Sequence, residues 1–188
     1  MADQEELFDI LDPQTLTVVG QKERRLVHRT GLLHKAVYCW VFNEDGHVLL
    51  QRRSPLKKIG ANQWDLSLAE HLQPGESYRQ AVVRGLKEEL GLSVPEERIQ
   101  GPLSDIHRRE LHGVDSQGNE FHDVEMVQSF RVFVDGSVHV SFDDGEVVEV
   151  QWLDPGVIQG KISADPASYT AWLAAEGTYL GWSMKTME

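Results

Sequence analysis

The chain is poor in several things, and each shortage excludes something. It has one cysteine, Cys39, so no intrachain disulfide can form, and a reducing, cytoplasmic home is expected. No run approaches about 18 consecutive apolar residues, the length a membrane-spanning helix needs. Residues 1–9 are acidic and have no apolar core, so no secretory signal is expected there. The last four residues, Lys185-Thr186-Met187-Glu188, match no lipidation pattern, and no internal repeat or low-complexity tract is visible. Positive charge is scarce: 18 Lys and Arg stand against 30 Asp and Glu, a net charge of −12. That balance argues against binding nucleic acid through its phosphate backbone. It leaves room for a small phosphorylated substrate, which needs only a local basic patch or a metal ion.

The 188 residues, 40% hydrophobic and 26% charged, suit one domain with a core that needs no staples. We expect a loose acidic lead over 1–14 and a single domain over 15–188. Thr15–Gly20 reads as a short strand. Lys35–Asn43 and His47–Arg53 read as a hairpin about Asn-Glu-Asp-Gly, and Trp64–Leu68 alternates like a strand. Ser77 followed by Gln80 fits a capping box. Ala81, Val82, Leu86 and Leu90 then recur at helical spacing, and Gly91 is placed to end the helix. Leu103–Leu111 and Glu120–Val134 form a long hairpin about a polar segment, and Glu146–Leu153 is a further strand. Asp165-Pro166 reads as the cap and first turn of a helix over Ala167–Glu176 that stops at Gly177. A mixed sheet with helices packed on it follows, an α/β fold.

Glu88 and Glu89 stand near the end of the first helix, where the macrodipole disfavours anions by roughly 0.3–1 kcal/mol each. Arg84, four residues before Glu88, can offset one of them. A hard divalent cation such as Mg²⁺, which takes carboxylate oxygens and phosphates, would offset far more.

From Glu70 to Leu92 the chain resembles the Nudix box, G-x5-E-x7-R-E-U-x-E-E-x-G-U with U apolar. Glu76, Arg84, Leu86, Glu88, Glu89, Gly91 and Leu92 fill seven of its nine specified positions. Glu70 stands in place of the first Gly, and Gly85 in place of the first helix Glu. The segments His28-Arg29, His34-Lys35-Ala36-Val37, Leu49 to Arg53, Trp64-Asp65 and Glu146 to Trp152 resemble the isopentenyl-diphosphate-isomerase-like branch of that superfamily. The likeness spans roughly residues 25–155.

The resemblance implies an α/β/α sandwich around a mixed sheet, and hydrolysis of an organic diphosphate with Mg²⁺ or Mn²⁺. Glu88 and Glu89 would be metal ligands, Arg84 would orient them, and Glu76 would support the loop through Arg84. Glu70 could enter the space that Gly85 vacates and return the missing carboxylate to the metal site. Arg53 and Lys57 match positions that contact the diphosphate, and Glu146 matches a site position before the last strand. The substrate would be a small prenyl or nucleoside diphosphate derivative. No nucleic-acid or membrane partner is expected, and the protein would be a monomer or homodimer.

Two other classes compete. The isomerase needs an active-site cysteine, and this chain has Ala69 there; alanine can neither give nor take a proton. His34 and His71 match two of that enzyme's His ligands, and His28 lies near a third with the spacing one residue short. The residues themselves are read first as strand-end histidines bonded to backbone. A non-catalytic diphosphate-binding module is the other alternative, since the box lacks a helix Glu. Trp64 reads as core. Glu110, His112, Glu120, His122, Asp123 and Glu125 cluster on the second hairpin. Alternation puts Phe121, Asp123 and Glu125 on one face, but the sequence does not say which acid acts.

Overall fold

The computed structural model describes residues 6–135, 137–142 and 145–182. A two-stranded antiparallel ribbon, β1 (Leu7–Leu11) and β2 (Val18–Glu23), leads into a short helix α1 (Arg24–Thr30). The main sheet holds β3 (His34–Phe42), β4 (Val48–Arg53), β5 (Trp64–Asp65), β6 (Leu68–His71), β7 (His107–Val114), β8 (Glu120–Phe133) and β9 (Val147–Leu153). Its main path runs β5-β4-β3-β8-β7, with β6 on β3 and β9 on β4. β3 and β8 pair in parallel over nine residues, and the other pairs are antiparallel. Helix α2 (Tyr78–Leu90) lies on one face; α3 (Pro155–Ala164) and α4 (Ala171–Leu180) lie on the other. The expected mixed-sheet α/β fold is what forms.

β3 explains the layering. Its side chains alternate between the faces, yet nearly all are buried, as in a strand covered on both sides. Val37, Cys39 and Val41 join Leu68, Leu86 and Leu90 under α2. Ala36, Tyr38, Trp40 and Phe42 join Ile158 and Leu173 under α3 and α4. Each fully buried Val or Leu contributes roughly 1.5–3 kcal/mol. At the start of α2 the capping box is complete, with the Ser77 side chain accepting from Gln80 N and that of Gln80 accepting from Ser77 N. Such a cap is worth about 1 kcal/mol. Gly91 closes the helix at φ 66°, a left-handed conformation that glycine takes without a Cβ penalty.

Three expectations are corrected. Residues 7–11 are no loose lead but strand β1, because Phe8, Ile10 and Leu11 are buried. The first short strand is Val18–Glu23 rather than 15–20. The last helix begins at Ala171, capped by Thr170, and runs through Gly177 to Leu180, with Gly181 as its left-handed C-cap. Gly177 lies inside the helix, where the Trp182 ring fills the space a Cβ would take. α3 was not expected, although Asp154 accepts from Gly156 N and Pro155 opens the helix, the same pattern that was read at Asp165-Pro166. The stretch 64–68 splits into β5 and β6, and Trp64 packs in the core as expected.

Candidate active site

Two groups of side chains meet at one end of the sheet. The first is built by Arg84, half-way along α2. Its Nε and Nη2 donate to the two oxygens of Glu76 at 3.0 and 2.9 Å, the forked geometry that carboxylates favour. Nη2 also donates to the carbonyl of His71 at 2.8 Å, and Nη1 reaches Glu88 at 3.0 Å and Glu70 at 3.3 Å. Glu76 accepts Gln73 N as well, so its carboxylate links Arg84 to the loop before α2. Glu88 stays largely exposed, whereas Glu89 is buried and accepts from Gln51 Nε2 at 2.7 Å.

Glu70 and Glu89 share this interior. Burial pushes Glu70 up to about 7 against the pull of Arg84. Burial pushes Glu89 up to about 8, and the neighbouring Glu70 charge adds to it. A Cβ at Gly85 would stand 2.9 Å from Leu68 Cδ1 and 3.2 Å from Glu70 Cγ. The stem of Glu70 therefore occupies the space beside Gly85.

Along β6, Glu70 turns to the α2 face and His71 to the other face. There His28, His34, His71 and Asp123 bring one ligand atom each within 4.8 Å of one another. His34 Nδ1 lies 2.9 Å from the carbonyl of Leu32. A carbonyl only accepts, so the proton sits on Nδ1 and the Nε2 lone pair faces the cluster. His71 Nε2 approaches Glu125 at 3.2 Å, and His34 Nε2 approaches Asp123 at 3.5 Å. Both histidines stand at strand ends, and His34 makes the expected backbone bond, through Leu32; His71 instead turns its Nε2 toward Glu125.

Burial holds His34 and His71 below the ordinary histidine value, in the neutral form that ligates metals. It pushes Asp123 up to about 8 and raises Glu125. His34 Nε2, His71 Nε2 and Asp123 Oδ1 are buried without a well-formed hydrogen bond. Orphaned imidazole nitrogens beside carboxylates that burial disfavours as anions fit a divalent cation of the kind imidazole binds.

Phe8 closes this centre. Its ring stacks on His34 at 5.2 Å and on His71 at 4.6 Å, and Asp9 Oδ2 accepts Gly75 N from the box loop. Sequence reasoning missed Phe8 by leaving residues 1–14 as a lead; the alternation of Phe8 and Ile10 was the available signal. Tyr38 Oη donates to Glu125 at 3.1 Å and stands opposite Ala69 in register. Cys39 points to the α2 face, fully buried, and burial pushes its thiol up. No cysteine therefore stands in for Ala69.

Of the two basic residues matched to the diphosphate, Lys57 pairs through Nζ with Glu146 at 2.9 Å, and its charge acts on both Glu89 and His71. Arg53 is drawn inward: it donates to Asp65 at 3.2 Å and to the carbonyl of Ile59, and stacks over Trp172. All three of its nitrogens bond within the protein. Beside Trp172 lies a cleft of about 360 Å³ lined by Ile59, Gly60, Leu111 and Tyr169 among others. Leu111, on one wall of the cleft, is the register partner of Asp123. No helix among the described residues is long and apolar enough to cross a membrane.

The buried ionisable groups carry a pH signature. Carboxylates raised on folding bind protons that the unfolded chain has already lost, so stability falls as pH climbs toward their folded values. The depressed histidines act oppositely, but only below their ordinary value near 6.5. Metal-free protein is therefore expected to lose thermal stability between about pH 6.5 and about pH 8, where Glu89 and Asp123 ionise. Mn²⁺ should restore it. A melting temperature that is flat across this window without metal would contradict the burial described here.

Residues 32–173 match the NUDIX domain family. The chain is 31% identical over 145 residues to the isopentenyl-diphosphate Delta-isomerase of Klebsiella pneumoniae subsp. pneumoniae, covering 77% of this chain and 73% of that protein. It is 40% identical over 100 residues to an uncharacterized Nudix hydrolase of Clostridium acetobutylicum, covering 51% and 48%. In fold it is similar to DR0079 of Deinococcus radiodurans, with a TM-score of 0.68 and 21% identity over 93% of this chain and 99% of that one. A MutT protein of Methanosarcina mazei gives a TM-score of 0.60 and 20% identity over 82% and 96%.

Proposed function

This chain belongs to the Nudix family, and from that premise we propose that it hydrolyses an organic diphosphate with the help of divalent cations. The observation that carries the reading is the Arg84 fork, which gathers Glu70, Glu76 and Glu88 while Glu89 lies buried beside Glu70. Glu89, Glu70 and Glu88 would hold Mg²⁺ or Mn²⁺ against the diphosphate, and His28, His34, His71, Asp123 and Glu125 would hold a second cation. Bound cations neutralise phosphate oxygens and lower the pKa of water. The protein's own part is to place carboxylates, to keep His34 and His71 neutral, and to exclude solvent with Phe8. Lys57, whose charge acts on Glu89 and His71 alike, serves the diphosphate as a point charge, with Glu146 holding its ammonium in place. The cleft beside Trp172 receives the organic group, and its volume falls in the range of small-ligand sites.

A second reading, isomerisation of isopentenyl diphosphate, is favoured by the three histidines with Asp123 and Glu125. Against it stands Ala69, opposite Tyr38, where a proton donor is required. A panel of prenyl and nucleoside diphosphates with Mg²⁺ or Mn²⁺ separates the readings. Metal-dependent phosphate release supports hydrolysis, an allylic product from isopentenyl diphosphate supports the second reading, and neither product marks a binding module. Lys57→Ala is expected to raise KM about tenfold or more with kcat little changed, as befits ground-state binding. An unchanged KM at low and high salt would place Lys57 outside the site.

A further inference from the structure

The β7–β8 hairpin has a second face. Arg109 and Leu111 turn inward, as Asp123 does, while Glu110, His112 and His122 gather on the side away from the histidine centre. His112 and His122 are direct register partners, and their rings stack at 3.8 Å. Both rings aim Nε2 at one oxygen of Glu110, at 3.1 and 2.8 Å. Arg108 holds the other Glu110 oxygen at 2.7 Å.

Zinc ligands stand about 2.0–2.1 Å from the ion, so tetrahedral neighbours lie roughly 3.3 Å apart. The two Nε2–Oε1 separations already approach that spacing. Two imidazoles and a carboxylate suit a borderline dication such as Zn²⁺, and not Mg²⁺, which prefers oxygen. Glu110 and His112 are two residues apart on one strand, and His122 comes from the strand paired to it. An ion there would tie β7 to β8.

We infer that Glu110, His112 and His122 form an accessory site for a zinc-type dication, which clamps the hairpin behind Asp123 and Glu125 and leaves coordination positions open to solvent. This is independent of the diphosphatase reading, since none of the three residues belongs to that machinery.

The test is a Zn²⁺ titration of the metal-free full chain against a chromophoric chelator. Wild type should bind one more equivalent than His112→Ala, and the affinity of that equivalent should fall more than about 100-fold, beyond the roughly 10–100-fold loss typical of an outer-shell partner. His112 is the first choice because its side chain is 63% exposed, whereas His122 packs against Gly31. Glu110→Gln should give the same loss. Hydrogen exchange over 107–124 should slow with Zn²⁺ in wild type alone, and Mn²⁺-dependent turnover should be equal in all three proteins. Equal stoichiometry and affinity in wild type and both variants would overturn the proposal. So would Zn²⁺ binding with hairpin exchange unchanged in wild type, since the clamp would then be absent.

Discussion

Glu89→Gln should lose at least two orders of magnitude in turnover and, at pH 8 and above, melt higher than wild type when both are free of metal. The two effects share one cause. Glu89 is a buried carboxyl raised to about 8, chiefly by burial and then by the charge of Glu70. Ionising it without a cation is costly, and Gln removes that cost while keeping the shape and an oxygen near Gln51. With substrate, the same charge is what would hold the metal against the diphosphate. Each 1.36 kcal/mol of lost transition-state stabilisation is tenfold in rate, and a metal contact is worth several kcal/mol. Glu88 is exposed and tied to Arg84, so Glu88→Gln should also depress turnover but leave the melting temperature nearly unchanged. Turnover equal to wild type in both variants, measured beside circular dichroism, would remove the box carboxylates from the chemistry.

The second large effect concerns Glu70 and Gly85. Glu70→Gly should weaken Mn²⁺ binding and turnover together, since ligand charge count sets affinity for hard cations. Gly85→Glu alone should destabilise the fold, because its stem would meet Leu68 and the stem of Glu70; overpacking of this kind typically costs about 1–3 kcal/mol. The double swap relieves the Glu70 clash and restores a carboxylate, but leaves Leu68 in place. It should recover much of the metal affinity while remaining less stable than wild type. A double-mutant cycle reads this as coupling between the two positions. Metal affinity and turnover unchanged in Glu70→Gly would end the idea that a carboxylate has moved from 85 to 70.

The helix of the box was legible because its signals are local. Ser77 and Gln80 cap it, apolar residues recur at its period, and Gly91 ends it, all within a few residues. Arg84 with Glu76 and Glu88 was legible for the same reason, since fixed helical and loop spacing brings them together. The Asp154-Pro155 cap and the alternation of Phe8 and Ile10 are equally local signals, of α3 and β1. The split faces of the second hairpin were half legible: alternation separated Asp123 and Glu125 from His122, but nothing local said which face would be enclosed.

By itself the sequence determined the class of fold, the box and its two departures, and the want of a proton donor at Ala69. Tertiary structure alone decided that His28, His34, His71 and Asp123 meet, that Phe8 covers them, and that Arg53 turns inward to Asp65 and Trp172. These groups lie on α1, six strands and α4, spread over most of the chain. Only the parallel pairing of β3 with β8, the antiparallel pairing of β3 with β6, and the packing of α4 bring them to one end of the sheet. Burial, which sets the protonation of Glu70, Glu89 and Asp123, depends on those same long-range pairings and has no counterpart in residue spacing.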